Sequence, residues 1–501
     1  MSKTVKRYTH YFLLVPSLFF CLTISAGEFS DHPDSNLHKR IDAYLTDASD
    51  NGFSGAVLVA KEGNVILNRG YGFADKIHKI SNTPTTIFDV GSVTKQFTAA
   101  AILKLEEKHK LKVTDTLSQY FNHLPADKKE ITIHQLLTHS SGIIGGIGNG
   151  DFHHIPTKDY FAQLFATDLL HPPGSKHYYS NAGYSVLARI IELVSGQEYE
   201  HFIRKELFAP AGMNDTGYLL PAWQKFTQAK GYQYNIFDIG SMTKRYIDDG
   251  KISWVLKGNG GINSTQEDMY RWYLALQNHQ ILSPASIKKL TAPHIKEYDD
   301  GDSYYAYGWA IFNSPRDTKV VAHNGSNGTF YYDFVWMPEE RTVILFATNT
   351  LTRPLPGIPN QIEKILFDES YQAKPLKKDF MVSILNDAIA HHGDSDSLVK
   401  LIQSNYAKQL SKRHYLNRLG ITLQKNGQVE KAIGLFKLNI HLFPGDGNLW
   451  DSLGEAYFSA NQLKKSKAAF EKAIELKSPT HCYWCDNSQA KLDLIKQKLA
   501  N

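Results

Sequence analysis

A register of 34 residues near the C-terminus constrains the fold of this chain more than any other feature. Leu416, Leu419, Gly420, Leu423, Gly427 and Phe436 align without a gap on Trp450, Leu453, Gly454, Tyr457, Asn461 and Phe470. Within each copy the apolar positions recur three and four residues apart, the spacing of one helix face. A helix–turn–helix unit of this size cannot bury its apolar face alone and must stack on its own copies. Gly420 and Gly454 fall where a side chain would hold paired helices apart. A degenerate copy begins near Leu385, because Leu385, Ile389 and Gly393 lie 34 residues before Leu419, Leu423 and Gly427. From about residue 374 onward the pattern is helix only.

This pattern resembles the tetratricopeptide repeat. The resemblance implies an all-α domain at 375–501 whose concave surface takes a peptide segment or a partner protein. An ordinary helical bundle, or a tail that only packs on the rest of the chain, is the competing expectation.

The front of the chain is different. A helix at 37–47 precedes a strand at 53–60, and Lys61-Glu62-Gly63-Asn64 turns into a second strand at 65–71, a hairpin signal. A mostly helical stretch then runs to about residue 220, with Gly- and Pro-rich loops and five glycines between 142 and 150. A glycine turn leads into a helix within 254–277, capped by Ser264 or Thr265. Strands at 304–312, 329–337 and 342–349 and a helix at 360–367 close the region. Strands at both ends enclosing helices predict one antiparallel sheet with helices packed on it, an α+β fold with a helical subdomain.

Length and charge limit what the chain does. At 501 residues it holds two or three domains, and 42% apolar content supplies their cores. Residues 1–26 read as a signal peptide: Lys3, Lys6 and Arg7 precede an apolar run from Tyr11 to Ile24 and small residues at 25–27. Its removal takes the net charge from +5 to +2, since three basic residues and no acidic ones leave. With no basic stripe interleaved with aromatics, nucleic acid is not an expected partner. The chain is expected to be secreted into the periplasm, with membrane association only through an uncleaved signal or a lipid anchor on Cys21. Cys482 and Cys485 predict a local disulfide in such a compartment.

Ser92-Val93-Thr94-Lys95 carries the chemistry. It lies where a strand-like run, 87–90, meets Gly91 and opens an apolar helix at 96–108. A serine needs a base within hydrogen-bond reach to act as a nucleophile. A lysine three residues on shares its helix face, and desolvation lowers a lysine pKa toward that task. A helix start also offers backbone N–H groups to an oxyanion. The motif alone is weak: it also fits an N-cap serine with a solvated lysine, and Ser241-Met242-Thr243-Lys244 repeats it. Downstream, Tyr179-Ser180-Asn181 puts a phenol and an amide on one side of an extended segment. His323-Asn324-Gly325-Ser326 puts His323 and Gly325 on one face if it is a strand, with the glycine leaving room for substrate. Each also reads as a plain surface loop.

Taken jointly and in this order, Ser92-x-x-Lys95, Tyr179-x-Asn181 and His323-x-Gly325 resemble the serine β-lactamase and penicillin-binding-protein superfamily. The closest likeness is to its class C, DD-carboxypeptidase and esterase-like branch. Phe88-Asp89-Val90-Gly91, the segment from Ile133 to Gly142, Pro173-Gly174 and Gly258-Asn259-Gly260-Gly261 support it. The resemblance covers residues 35–370. It implies a β-lactamase/transpeptidase-like domain with Ser92 as acylated nucleophile, Lys95 as general base and Tyr179 as proton relay. Asn181, His323 and Gly325 would bind substrate, and the N–H groups of Ser92 and Ser326 would form the oxyanion hole. Ser241–Lys244 falls out of the family's order and is expected to be inert. No metal or cofactor is implied. Many β-lactamases carry Lys-Thr-Gly where this chain has His-Asn-Gly, so a fixed cation for a substrate carboxylate is missing.

The expected protein is a serine hydrolase working through an acyl-enzyme on a D-amino-acid peptide, an ester or a β-lactam. A peptidase or esterase is expected over an efficient β-lactamase. The alternative is a penicillin-sensing or scaffold protein whose helical tail binds a partner, with little turnover.

Overall fold

A computed structural model describes residues 35–148, 150–223, 228–243, 250–477 and 482–500. The signal segment at 1–26 and Lys244 lie outside the described residues.

One antiparallel sheet of eight strands organises the front of the chain among the described residues. From one edge the order is Asn64–Tyr71, Gly55–Lys61, Thr342–Thr348, Tyr331–Met337, Lys319–Ser326, Ala310–Asn313, Tyr304–Tyr305 and Ile295–Lys296. Both faces of the sheet are covered, so the strands Gly55–Lys61 and Thr342–Thr348 are apolar over 56–60 and 343–347 and alternate between two cores. Ala56 and Leu58 join one core with Leu345 and Ala347, while Val57 and Val59 join the other with Ile344 and Phe346. The helices Asn36–Asp50 and Ile358–Phe367 cover the second face through Ile41, Leu45, Ile358 and Ile362. The first face carries the large helical body. At its centre lies the helix Thr94–Glu107, buried from Thr94 to Leu103 and therefore apolar or internally bonded all round.

One expectation needs correction here. The strand expected at 304–312 is broken into Tyr304–Tyr305 and Ala310–Asn313, which pair with each other as a hairpin. Gly308 turns between them at φ +76°, and a Cβ there would lie 2.8 Å from the Lys95 carbonyl oxygen. The sheet thus bends to press on the Ser92–Lys95 turn. The His323 segment, read as a possible strand, forms the end of the strand Lys319–Ser326. The helix Gln266–Gln277 begins as expected, with the Thr265 hydroxyl accepting the Asp268 N–H at 3.0 Å.

Helices from Phe380 onward build a core of their own. Their pairs are Phe380–Ala390 with Ser395–Tyr406, Arg413–Lys425 with Val429–Leu442, and Gly447–Ser459 with Leu463–Glu475. A Cβ on Gly454 would sit 2.8 Å from the Phe470 ring, and one on Gly420 would sit 2.5 Å from the Phe436 ring. Each glycine admits the phenylalanine sixteen residues later in its repeat. Cys482 and Cys485 form a disulfide, and between them Trp484 donates its Nε1–H to the Ala473 carbonyl at 3.1 Å.

The tail packs on the front domain. The hairpin Gly231–Gln233/Phe237–Gly240 sends Tyr234, Ile236 and Phe237 against the tail's core. Arg353 donates its N–H to the Asp379 carboxylate at 2.8 Å and lays its guanidinium over the Phe380 and Tyr415 rings. Among the described residues no helix is long and apolar enough to cross a membrane.

Candidate active site

The nucleophile turn is set by backbone constraints. Asp89 accepts the Gly91 N–H at 2.6 Å, and Gly91 turns at φ +53°. A Cβ on Gly91 would lie 2.6 Å from the Ser326 nitrogen. Ser92 sits in the 3-10 turn Gly91–Val93, one turn ahead of the helix that carries Lys95. Gly325 stands against the same turn from the sheet side, where a Cβ would collide with the Val90 carbonyl oxygen and the Ser92 nitrogen. This corrects the expectation that Gly325 makes room for substrate. It makes room for the nucleophile turn, and it does not line the cavity in front of Ser92. The two close approaches set the Ser92 and Ser326 nitrogens at the contact between the nucleophile turn and the strand end.

Lys95 is fully buried, and its Nζ lies 3.1 Å from Ser92 Oγ, 2.8 Å from Asn181 Oδ1 and 2.6 Å from the Asn259 carbonyl oxygen. Burial holds its pKa well below the ordinary lysine value, with Asp151 pulling weakly the other way. A neutral amine has two hydrogens and one lone pair. In that form the two fixed acceptors, Asn181 and Asn259, can take the hydrogens and leave the lone pair to the Ser92 hydroxyl. Tyr179 lies over the same amine, its ring centroid 4.7 Å from Nζ, and lines the cavity beside Ser92. Burial raises the Tyr179 pKa, so this phenol holds its proton at neutral pH. Ser180 caps the helix Asn181–Ser195 by accepting the Gly183 N–H at 3.0 Å, which directs the Asn181 side chain to Lys95.

His323 is buried and neutral. Its Nδ1–H donates to the Asn324 carbonyl at 2.6 Å, and its Nε2 accepts the Tyr305 hydroxyl at 3.0 Å. Burial first, then the charge of Lys95, pushes its pKa down to about 3. The strand Ala310–Asn313 pairs only as far as Ala322, so His323–Ser326 keeps an open edge in front of Ser92. Such an edge can hydrogen-bond an extended substrate.

A cavity of about 490 Å³ opens over this edge, lined among others by Ser92, Tyr179, Glu297, Tyr305, His323 and Asp333. Ser241 is not part of its wall. Sequence reasoning did not single out Asn259, Tyr305, Glu297 or Asp333. Asn259 lay in the glycine turn already noted; Glu297 lies in a region with no motif. Burial pushes the Asp333 carboxyl up to about 7, with the Tyr331 hydroxyl at 3.3 Å opposing in part.

The β-lactamase family matches residues 39–364, well over half of the chain. The chain belongs to the β-lactamase family. The tetratricopeptide repeat matches residues 447–480. A Bacillus subtilis protein named for penicillin binding, PbpX, is 34% identical over 334 residues, covering 66% of this chain and 79% of that protein. The teichoic acid D-alanine hydrolase of Staphylococcus aureus is 27% identical over 318 residues, covering 62% of this chain and 73% of the hydrolase. The octameric penicillin-binding protein homologue from Pyrococcus abyssi superposes with a TM-score of 0.58 at 25% identity, covering 70% of this chain and 82% of that one. In this β-lactamase-family domain the cavity wall bears no lysine or arginine among the described residues.

Proposed function

We propose that the chain is a secreted serine hydrolase that cleaves an ester or amide of a D-amino acid through an acyl-enzyme on Ser92. The carrying observation is the Lys95 amine, buried between Asn181 and Asn259 with its Nζ 3.1 Å from Ser92 Oγ. In this reading Lys95 takes the Ser92 proton as Oγ bonds to the substrate carbonyl carbon. The N–H groups of Ser92 and Ser326 hold the resulting oxyanion. Collapse breaks the bond to the leaving group, which receives its proton through the Tyr179 hydroxyl. Water then attacks the acyl-enzyme, gives its proton to the same base, and frees Ser92. Asn181 positions Lys95, and His323 lines the substrate edge.

The substrate class rests on charge. His323 is neutral and no lysine or arginine lines the cavity, so a β-lactam or peptide carboxylate meets no fixed cation there. Esters and amides without that carboxylate fit better, and the name of the D-alanine hydrolase relative agrees with this direction. The intact Lys95 network favours turnover over a silent scaffold. We assign the hydrolase to 35–370 and the helical tail to 375–501. In this reading residues 1–26 export the chain, and the concave surface of the tail takes a protein partner.

Labelling of the purified protein by a fluorescent penicillin and by a fluorophosphonate tests the reading. Stronger labelling by the fluorophosphonate, lost in Ser92→Ala and kept in Ser241→Ala, is expected. Labelling that survives Ser92→Ala would overturn the assignment of the nucleophile.

A further inference from the structure

The charges around the cavity are one-sided. Its wall carries the carboxyls of Glu297, Asp333 and Glu363 and no lysine or arginine. Glu363 is neutralised by Arg316 at 3.0 Å. Asp333 is bonded by Tyr331, and burial keeps its carboxyl easily protonated. Glu297 differs from both. It directly follows the edge strand Ile295–Lys296, and its N–H is tied to the Ser303 carbonyl at 3.0 Å. Its carboxylate accepts the Ser303 hydroxyl, and among the described residues no ion pair to it is formed. Its negative charge acts on Tyr179 and Tyr305, which line the same cavity as Ser92, and on His177 nearby. A partly buried carboxylate with no countercharge, facing a substrate cavity, is a receptor for a cation.

We propose that Glu297 binds the free ammonium group of an aminoacyl ester or amide while the carbonyl of that substrate sits at Ser92. This rests on the hydrolase reading above and narrows it to substrates with an unblocked amine. Asp333 and Glu363 lie on the same wall but do not substitute for it, the first being easily protonated and the second already paired. The ammonium is present in both the bound substrate and the transition state, so its contribution falls mainly on KM.

The experiment compares hydrolysis of D-alanine p-nitroanilide with that of its N-acetyl counterpart by the full mature chain. The free amine is expected to be favoured by about tenfold or more in kcat/KM. Glu297→Gln is expected to bring that ratio toward one, chiefly by raising KM for the free amine, and Glu297→Asp to keep part of it. An unchanged ratio in Glu297→Gln, or a wild-type preference for the acetylated compound, would overturn the proposal. No turnover of either compound by a protein that still labels at Ser92 would overturn it too while leaving the hydrolase standing. Absence of labelling as well would overturn both.

Discussion

The imidazole of His139 lies against the ring of Tyr179, centroids 4.2 Å apart, while its Nδ1 accepts the Ser180 N–H at 3.0 Å. Its carbonyl oxygen also accepts the Tyr178 N–H at 2.8 Å. One buried residue therefore grips the segment that aims the phenol at Ser92, from both the backbone and the ring face. Burial, with Lys95, His177 and His323 nearby, holds His139 neutral, and the accepting Nδ1 puts its proton on Nε2. His139 sits in the left-handed region at φ +55°, which asparagine tolerates. His139→Asn is thus expected to fold but to lose the support of the Tyr179 ring. Acylation of Ser92 should slow about 100-fold, the cost of a small misplacement of a reacting group. Stopped-flow labelling beside a thermal melt checks this; a wild-type rate in a folded variant would remove His139 from the positioning of Tyr179.

The Lys95 environment sets the pH dependence of the reaction. The base is active when neutral, and burial lowers its pKa, so kcat/KM should rise with pH through a midpoint well below the ordinary lysine value. Tyr179 is shifted upward and stays protonated over this range, so it adds no loss on the alkaline side near neutrality. Lys95→Arg keeps the charge but cannot release a proton, and should abolish the ascending limb along with activity. A pH–rate profile against the fluorophosphonate reads both.

The same burial makes the fold sensitive to acid. His323 has a pKa of about 3 in the folded chain, against about 6.5 when unfolded. Between those values the unfolded chain binds a proton that the folded one does not. Stability therefore falls as pH drops through this window, by up to roughly 1.4 kcal/mol per pH unit from this one site. His139 is shifted in the same direction and steepens the loss. Urea midpoints at about pH 7 and about pH 4.5 should show a smaller drop in His323→Asn than in the wild type.

Gly325 gives a sharper structural test. Any Cβ there strikes the Val90 carbonyl and the Ser92 nitrogen, so Gly325→Ala must separate the sheet edge from the nucleophile turn. A destabilisation of about 1–3 kcal/mol is expected, with a larger loss in acylation than in thermal stability because the two oxyanion donors move apart. If the glycine served only to admit substrate, acylation by a small fluorophosphonate would be spared.

How much of this was legible in the sequence depended on the range of the interaction. Ser92, Lys95, Tyr179, Asn181 and His323 stood in short motifs that were each weak alone; their joint order and its resemblance to a known family singled them out. The true constraint on Gly325 was hidden, because its neighbour Ser92 is more than 200 residues away in the chain. Glu297 and Asp333 were missed for the same reason: a carboxylate becomes notable only when the fold takes its counterions away. The break of the strand at Gly308 depends on contact with Lys95, which no periodicity encodes. The helical character of the tail was legible because its contacts repeat at fixed spacing. Its docking on the Tyr234–Phe237 hairpin joins segments distant in sequence and was left open between packing and recruitment.

That repeat geometry makes a prediction confined to the tail. Gly454 and Phe470 fill one space, and a Cβ at Gly454 would meet the ring at 2.8 Å. Gly454→Val should push the helices Gly447–Ser459 and Leu463–Glu475 apart at a cost of about 1–3 kcal/mol. Its branched side chain cannot turn away from the ring within a helix, since χ1 is restricted there. Tyr234 lies beside Met381, Tyr415 and Arg418, on helices that precede the Gly454 pair in the chain, so the front domain should keep its own stability. A calorimetric scan should then show one transition moving down and a second unchanged, with Ser92 labelling retained. A single transition that moves as a whole would show that the tail and the hydrolase fold as one cooperative unit through the hairpin.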